Sequence, residues 1–83
     1  MQPTKKTLEE IDQSQEIENA KKIEAALFIA GRFLSIQELI TLTDVNPILL
    51  KKIISDLKDK YKSSGIEIIQ QESLYKMDVS SQY

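Results

Sequence analysis

Lys51, Lys52, Lys58, Lys60 and Lys62 crowd a short stretch whose only acidic residues are Asp56 and Asp59, in a chain of formal net charge −2. On a helix running from Pro47 to about Lys62, Lys51, Lys52, Ser55, Lys58, Asp59 and Lys62 cover the face opposite an apolar arc. Ammonium groups on one helix face can neutralise phosphates. Lys51, Lys52, Lys58 and Lys62, with Lys76 further along, are therefore the candidate nucleic-acid contacts. Such contacts are salt-sensitive and carry little sequence information. Reading bases needs hydrogen-bonding side chains in the first turn of a recognition helix. That turn here is Pro47-Ile48-Leu49-Leu50, with Ile48 directed outward. An outward Ile48 flanked by Leu49 suits a protein groove better than a base pair, so both are candidate protein-interface residues. The alternative role for the lysines is to keep the helix solvated.

Other chemistry is thinly represented. The chain has no cysteine and no histidine, which removes disulfides, thiol nucleophiles, zinc fingers and imidazole catalysis. Glu9-Glu10, Glu16, Glu18, Asp56 and Asp59 lie in runs expected of solvated helix faces. No glycine-rich phosphate loop or metal-ligand spacing is present. We expect no enzyme, no catalytic residue, no metal site and no cofactor. No apolar run approaches the ~20 residues of a membrane span. Lys5 and Lys6 are not followed by the apolar stretch of a signal peptide. The expectation is a soluble, cytoplasmic protein. With 41% hydrophobic and 29% charged residues in an 83-residue chain, the composition is that of one small globular domain.

The elements that position these residues follow from periodicity. Residues 1–14 are polar, with Leu8 and Ile11 the only large apolar residues after Met1, and predict a flexible tail. Thr7 to Glu10 also fits a capping box, which leaves an extended first helix as the alternative. The domain proper is expected over 15–83. Ala20, Ile23, Leu27 and Ala30 recur at helical spacing, so a helix runs from about Gln15 to Ala30 and stops at Gly31. Its last turn, Ala25-Ala26-Leu27-Phe28-Ile29-Ala30, is apolar around most of its circumference. Phe28 and Ile29 point away from the core stripe on opposite sides: either neighbouring elements cover them or they form a partner surface. Arg32-Phe33-Leu34 reads as a short strand beside them, which adds Phe33 to the interface candidates.

Ser35-Ile36-Gln37-Glu38 is a capping box opening a helix over Ile36–Thr43, with Leu39, Ile40 and Leu42 as core candidates. Asn46 as N-cap and Pro47 as first helical residue open the third helix, whose core arc is Leu50, Ile53, Ile54, Leu57 and Tyr61. After Ser63-Ser64-Gly65 the period changes to 2, and Ile66–Gln71 and Leu74–Val79 read as two strands. Tyr75, Met77 and Val79 share one face, and Glu72-Ser73 forms a turn of undetermined type. The order of elements predicts an α+β winged helix-turn-helix: three helices with a C-terminal β-hairpin wing. Its expected core is Ile23, Leu27, Leu39, Leu50, Ile53, Ile54 and Leu57.

Lys22-Ile23-Glu24-Ala25-Ala26-Leu27-Phe28-Ile29-Ala30-Gly31 resembles the opening helix of the segregation and condensation protein B (ScpB) family, and specifically its N-terminal winged-helix domain. That family's pattern continues Gly-Glu-Pro-Leu-Ser; Gly31-Arg32-Phe33-Leu34-Ser35 stands here, with Arg and Phe replacing Glu and Pro. Gly65-Ile66-Glu67-Ile68 and Tyr75-Lys76-Met77 are similar to its wing, although the glycines common in that turn are missing. Members usually carry a second winged-helix domain, and this chain ends where it would begin, so a fragment and a shortened relative both remain open. The resemblance implies a non-enzymatic scaffold of chromosome segregation and condensation that forms a homodimer. Its implied partner is the kleisin (ScpA-like) subunit of a structural-maintenance-of-chromosomes (SMC) complex, with DNA contact weak or indirect. The alternative is a DNA-binding transcriptional regulator using the lysine face.

Overall fold

The helix boundaries from Gly31 to Ser63 can each be traced to a residue that satisfies or interrupts the backbone. In the computed structural model, backbone is described from Lys5 and side chains from Gln15 to Tyr83. Helix α1 spans Lys5–Ala30. It starts at Lys5 rather than Gln15, which is the extended-helix alternative; Thr7 lies within it. The first four residues, and the side chains of the expected tail over 1–14, lie outside the described residues. Gly31 closes α1 with a left-handed φ of 60°, and its N–H donates to the Leu27 carbonyl at 3.4 Å.

Strand β1 is Leu34–Ser35, starting two residues and ending one residue later than Arg32–Phe33–Leu34 suggested, and helix α2 is Ile36–Thr43. The expected capping box is present. The Glu38 N–H donates to Ser35 Oγ at 3.1 Å, and the Ser35 N–H donates to Glu38 Oε1 at 3.2 Å. Asp44 ends α2 at a φ of 57°, donating its N–H to the Ile40 carbonyl. Helix α3 is Pro47–Tyr61, opened by Asn46, whose Oδ1 accepts from the Leu49 N–H at 2.9 Å. The reversal after α3 uses Ser63, at a φ of 68°, rather than Gly65. Ser64 Oγ then accepts from the Ile66 N–H and lies within donating distance of the Tyr61 and Ile66 carbonyls.

Strands β2 (Ile66–Gln71) and β3 (Leu74–Val79) form the hairpin, in register from Ile66 opposite Val79 to Gln71 opposite Leu74. Its turn places Glu72 at a φ of 56° while Ser73 has no positive φ. A positive φ at the first loop residue alone is the pattern of a type II′ turn rather than I′. β1 pairs antiparallel with β3, Leu34 opposite Tyr75, giving the sheet order β1-β3-β2.

Ile23, Leu27, Leu39, Leu50, Ile53, Ile54 and Leu57 are all buried, as expected, and Leu34, Val45, Ile68 and Tyr75 complete the core. Leu42 does not belong to it. Expected inside, it is 61% exposed, and Thr43 takes the buried position on the last turn of α2. Thr43 can be buried because its Oγ1 donates to the Leu39 carbonyl at 2.6 Å, leaving no polar atom unsatisfied. Along β3 burial falls from Tyr75 through half-buried Met77 to Val79, which is 59% exposed.

Candidate protein interface

With its core stripe filled by Ile23 and Leu27, the last turn of α1 leaves two large apolar side chains outside. Phe28 is 71% and Ile29 80% exposed. Consecutive residues on a helix are separated by 100°, so the two serve different surfaces. Ile29 stands on one wall of an open groove between α1 and α2, about 530 Å³ in volume, and Leu42 lines it as well. Ala25, Ala26, Ala30 and buried Leu34 form its apolar lining, and Lys22 and Arg32 are its charged residues. Phe28 faces the other way. It lines two smaller depressions toward the wing with Ile66 and Met77, flanked by Val79 and by the charged residues Lys21, Glu24 and Asp78.

The third helix presents its first turn to solvent: Ile48 is 85% exposed and Leu49 is half-buried. Phe33 is not among the described residues that line the groove beside Ile29 or the two depressions beside Phe28. It is half-buried under the Lys76 ammonium, 5.7 Å from its ring centroid, on the side of the sheet away from Tyr75. Alternation along β3 explains this, because Lys76 and Tyr75 project to opposite faces.

The lysines expected to meet phosphate are largely engaged within the chain. Lys52 pairs with Glu16 on α1, which raises the Lys52 pKa. Lys58 donates to the Gln70 side-chain oxygen and lies over Tyr75. Lys76 pairs with Asp78 at 3.1 Å. Lys51 and Lys62 are exposed and have no ion pair among the described residues. The seam between α1 and α3 is further tied by Lys60 to Glu24 at 3.2 Å. The Tyr61 hydroxyl, and then Lys60, hold the Glu24 carboxyl below its ordinary pKa against the opposing effect of burial. At the foot of the α1–α2 groove Arg32 bonds Glu38 Oε2 at 2.7 Å and the Phe33 carbonyl at 2.9 Å. The guanidinium, followed by the Ser35 N–H, lowers the Glu38 pKa. Ile66, half-buried Met77 and Val79 beside Phe28, and Leu42 opposite Ile29, were not among the interface candidates, since periodicity placed Met77 and Val79 only on one face with Tyr75 and put Leu42 in the core. The signal for Leu42 was its position next to Thr43, a polar residue able to bond its own helix.

Among the described residues no three histidine, cysteine or acidic side chains converge as metal ligands, and no helix is long and apolar enough to cross a membrane. Three helices, a short first strand and a hairpin laid against the helix pair define a winged helix-turn-helix domain, in agreement with the expected α+β class. The family model for the segregation and condensation complex subunit ScpB matches residues 21–83, and the chain belongs to that family. Among solved structures it is similar to one described as a dimer of the ScpB N-terminal domain complexed with ScpA peptide. Identity is 21%, 76% of each chain is covered, and the TM-score is 0.67, a likeness of fold. No curated protein matches the chain.

Proposed function

We propose that this domain is a non-enzymatic scaffold of chromosome segregation and condensation. It pairs with a second copy of itself and binds the kleisin (ScpA-like) subunit of an SMC complex in the cytoplasm. The observation that carries this is the exposure of Phe28 and Ile29 on a helix whose core stripe is already complete. Solvated apolar side chains of that size on adjoining faces suit protein contacts. Family membership supports the scaffold role, and the ScpA peptide in the similar structure supports the kleisin as partner. Phe28 with Ile66, Met77 and Val79 is the surface offered to a second copy, where a two-fold would set the mixed charges of Lys21, Glu24 and Asp78 against one another. Phe33, Ile48 and Leu49 are secondary contact candidates. DNA contact is weak or indirect in this scheme, since Lys52, Lys58 and Lys76 are held by partners in the chain.

The test is sedimentation of the chain alone and with the kleisin subunit. Dimers at micromolar to millimolar concentration and co-migration with the kleisin are expected. A strict monomer of 9.5 kDa at millimolar concentration, together with no kleisin complex, overturns the proposal.

A further inference from the structure

The lysines of the α3 segment divide by what holds them. Successive helical residues turn by about 100°, so the cations leave α3 in different directions. Lys52 and Lys60 lean toward α1, where Glu16 and Glu24 meet them. Lys58 leans toward the wing, donating to the Gln70 side chain and lying over the Tyr75 ring. Between those flanks Ile48, Lys51, Ser55, Asp59 and Lys62 follow one another at steps of three and four residues, which makes them a stripe along the outer side of the helix. All are exposed. Lys51 and Lys62 have no ion pair among the described residues, and Asp59 is the stripe's own carboxylate. Glu16 sets how far this cationic surface extends. It reaches Lys52, the neighbour of Lys51 at the edge of the stripe, from 36 residues earlier in the chain. An ammonium in contact with a carboxylate attracts a third, negative charge far less than a free one does. Glu18 provides the contrast: it leaves α1 about 200° around from Glu16 and pairs only with Lys21 of its own helix, at 4.0 Å.

We propose that Lys51 and Lys62 form a contact site for the phosphate backbone of duplex DNA, and that Glu16 attenuates this site by occupying Lys52. The proposal rests on the weak DNA contact of the scaffold function above and gives that contact a place and a cause. Spaced cations on an exposed helix, in a chain of net charge −2, are complementary to a phosphate backbone. A protein partner gains most from large apolar or aromatic anchors, and the stripe offers only Ile48, at one end. The first turn, Pro47-Ile48-Leu49-Leu50, supplies no hydrogen-bonding side chain, so the contact is to phosphate and is indifferent to base sequence. With Glu16 in place two lysines serve the backbone; with Lys52 released, three do.

Fluorescence anisotropy with two labelled duplexes of unrelated sequence, titrated over a salt series, tests the assignment. Glu16→Gln is expected to tighten binding by about three- to tenfold at ~50 mM salt and to steepen the slope of log K against log salt by about one. Glu18→Gln makes the same change of net charge on the other side of α1 and should alter affinity by less than about twofold. Adding Lys52→Ala to Glu16→Gln should remove the gain, because the two side chains act as a pair. Lys51→Ala and Lys62→Ala should each flatten the slope by about one, equally for both duplexes. The altered side chains lie at the surface, and thermal melts by circular dichroism verify that the variants fold. Equal responses to Glu16→Gln and Glu18→Gln, or a gain that survives Lys52→Ala, refute the attenuation. Binding that ignores both Lys51→Ala and Lys62→Ala refutes the site. Absence of duplex binding by the unmodified protein and by Glu16→Gln refutes the nucleic-acid assignment and leaves the stripe to an acidic protein surface. Sedimentation with the kleisin reads the scaffold function separately, so either reading can fail alone.

Discussion

Leu27 and Phe28 are adjacent in sequence and have opposite environments, which makes them a stringent pair for mutation. Leu27 is fully buried, while Phe28 is 71% exposed. Truncating a buried leucine to alanine removes its transfer free energy and leaves a cavity that the surroundings fill only in part, a cost of about 2.7–5 kcal/mol. A domain of this length has roughly 4–12 kcal/mol of total stability, so Leu27→Ala removes a large share of it. Phe28 hides less than a third of its surface, so Phe28→Ala forfeits about 0.5–1 kcal/mol of the roughly 1.5–3 kcal/mol that full burial provides. Urea unfolding at low micromolar protein, where association adds little, separates the two. With a slope of about 1.5 kcal/mol/M, the Leu27→Ala midpoint should fall by about 2–3 M and that of Phe28→Ala by less than about 0.7 M. At high protein concentration the order of effects changes, and Phe28→Ala should weaken self-association more than Lys58→Ala. Equal small losses of stability for both variants would show that Leu27 is not a core residue and that the split of α1 into core and contact faces is wrong.

Asn46→Ala, which removes the oxygen capping the Leu49 N–H, should cost about 0.5–2 kcal/mol in the same unfolding assay. Glu38, Glu24 and Asp78 have lowered pKa values in the folded chain, so their stabilisation is complete above the ordinary carboxylate range and is lost as pH falls through those lowered values. Melting temperature should therefore decline below about pH 4, and Glu38→Gln should make that acid limb shallower; a pH-independent melt would contradict the pairing. Glu72→Gly relieves a positive φ at the hairpin and should be neutral or stabilising by up to about 1 kcal/mol, whereas Glu72→Val should destabilise. Duplex DNA should bind only in the non-specific range of about 10⁻⁴–10⁻⁶ M at physiological salt; a sub-micromolar complex abolished by Lys51→Ala and Lys52→Ala would favour the regulator.

What the amino-acid order determined by itself is local. Gly31, the Ser35–Glu38 box, Asn46 before Pro47, and the change of period after Gly65 each act within about four residues, because caps and turns are short-range bonds between a side chain and nearby backbone. Those signals, with the apolar stripes of α1 and α3, suffice for the element order and for most of the core. Phe28 and Ile29 were legible as a surplus of apolar residues, but not as exposed ones. Exposure depends on which faces α2, α3 and the wing cover when they pack on α1, and that is decided by contacts between distant parts of the chain. The same packing places Thr43 inside and Leu42 outside, although hydrophobicity alone favours the reverse. It lays Phe33 under Lys76, away from Phe28, through the pairing of Leu34 with Tyr75. It also sets Lys52 beside Glu16, 36 residues earlier, and so occupies a cation that sequence spacing had left free for phosphate. Neither helical period nor charge pattern records the partner of a side chain across the tertiary fold, because spacing fixes only the direction in which the side chain leaves its own element.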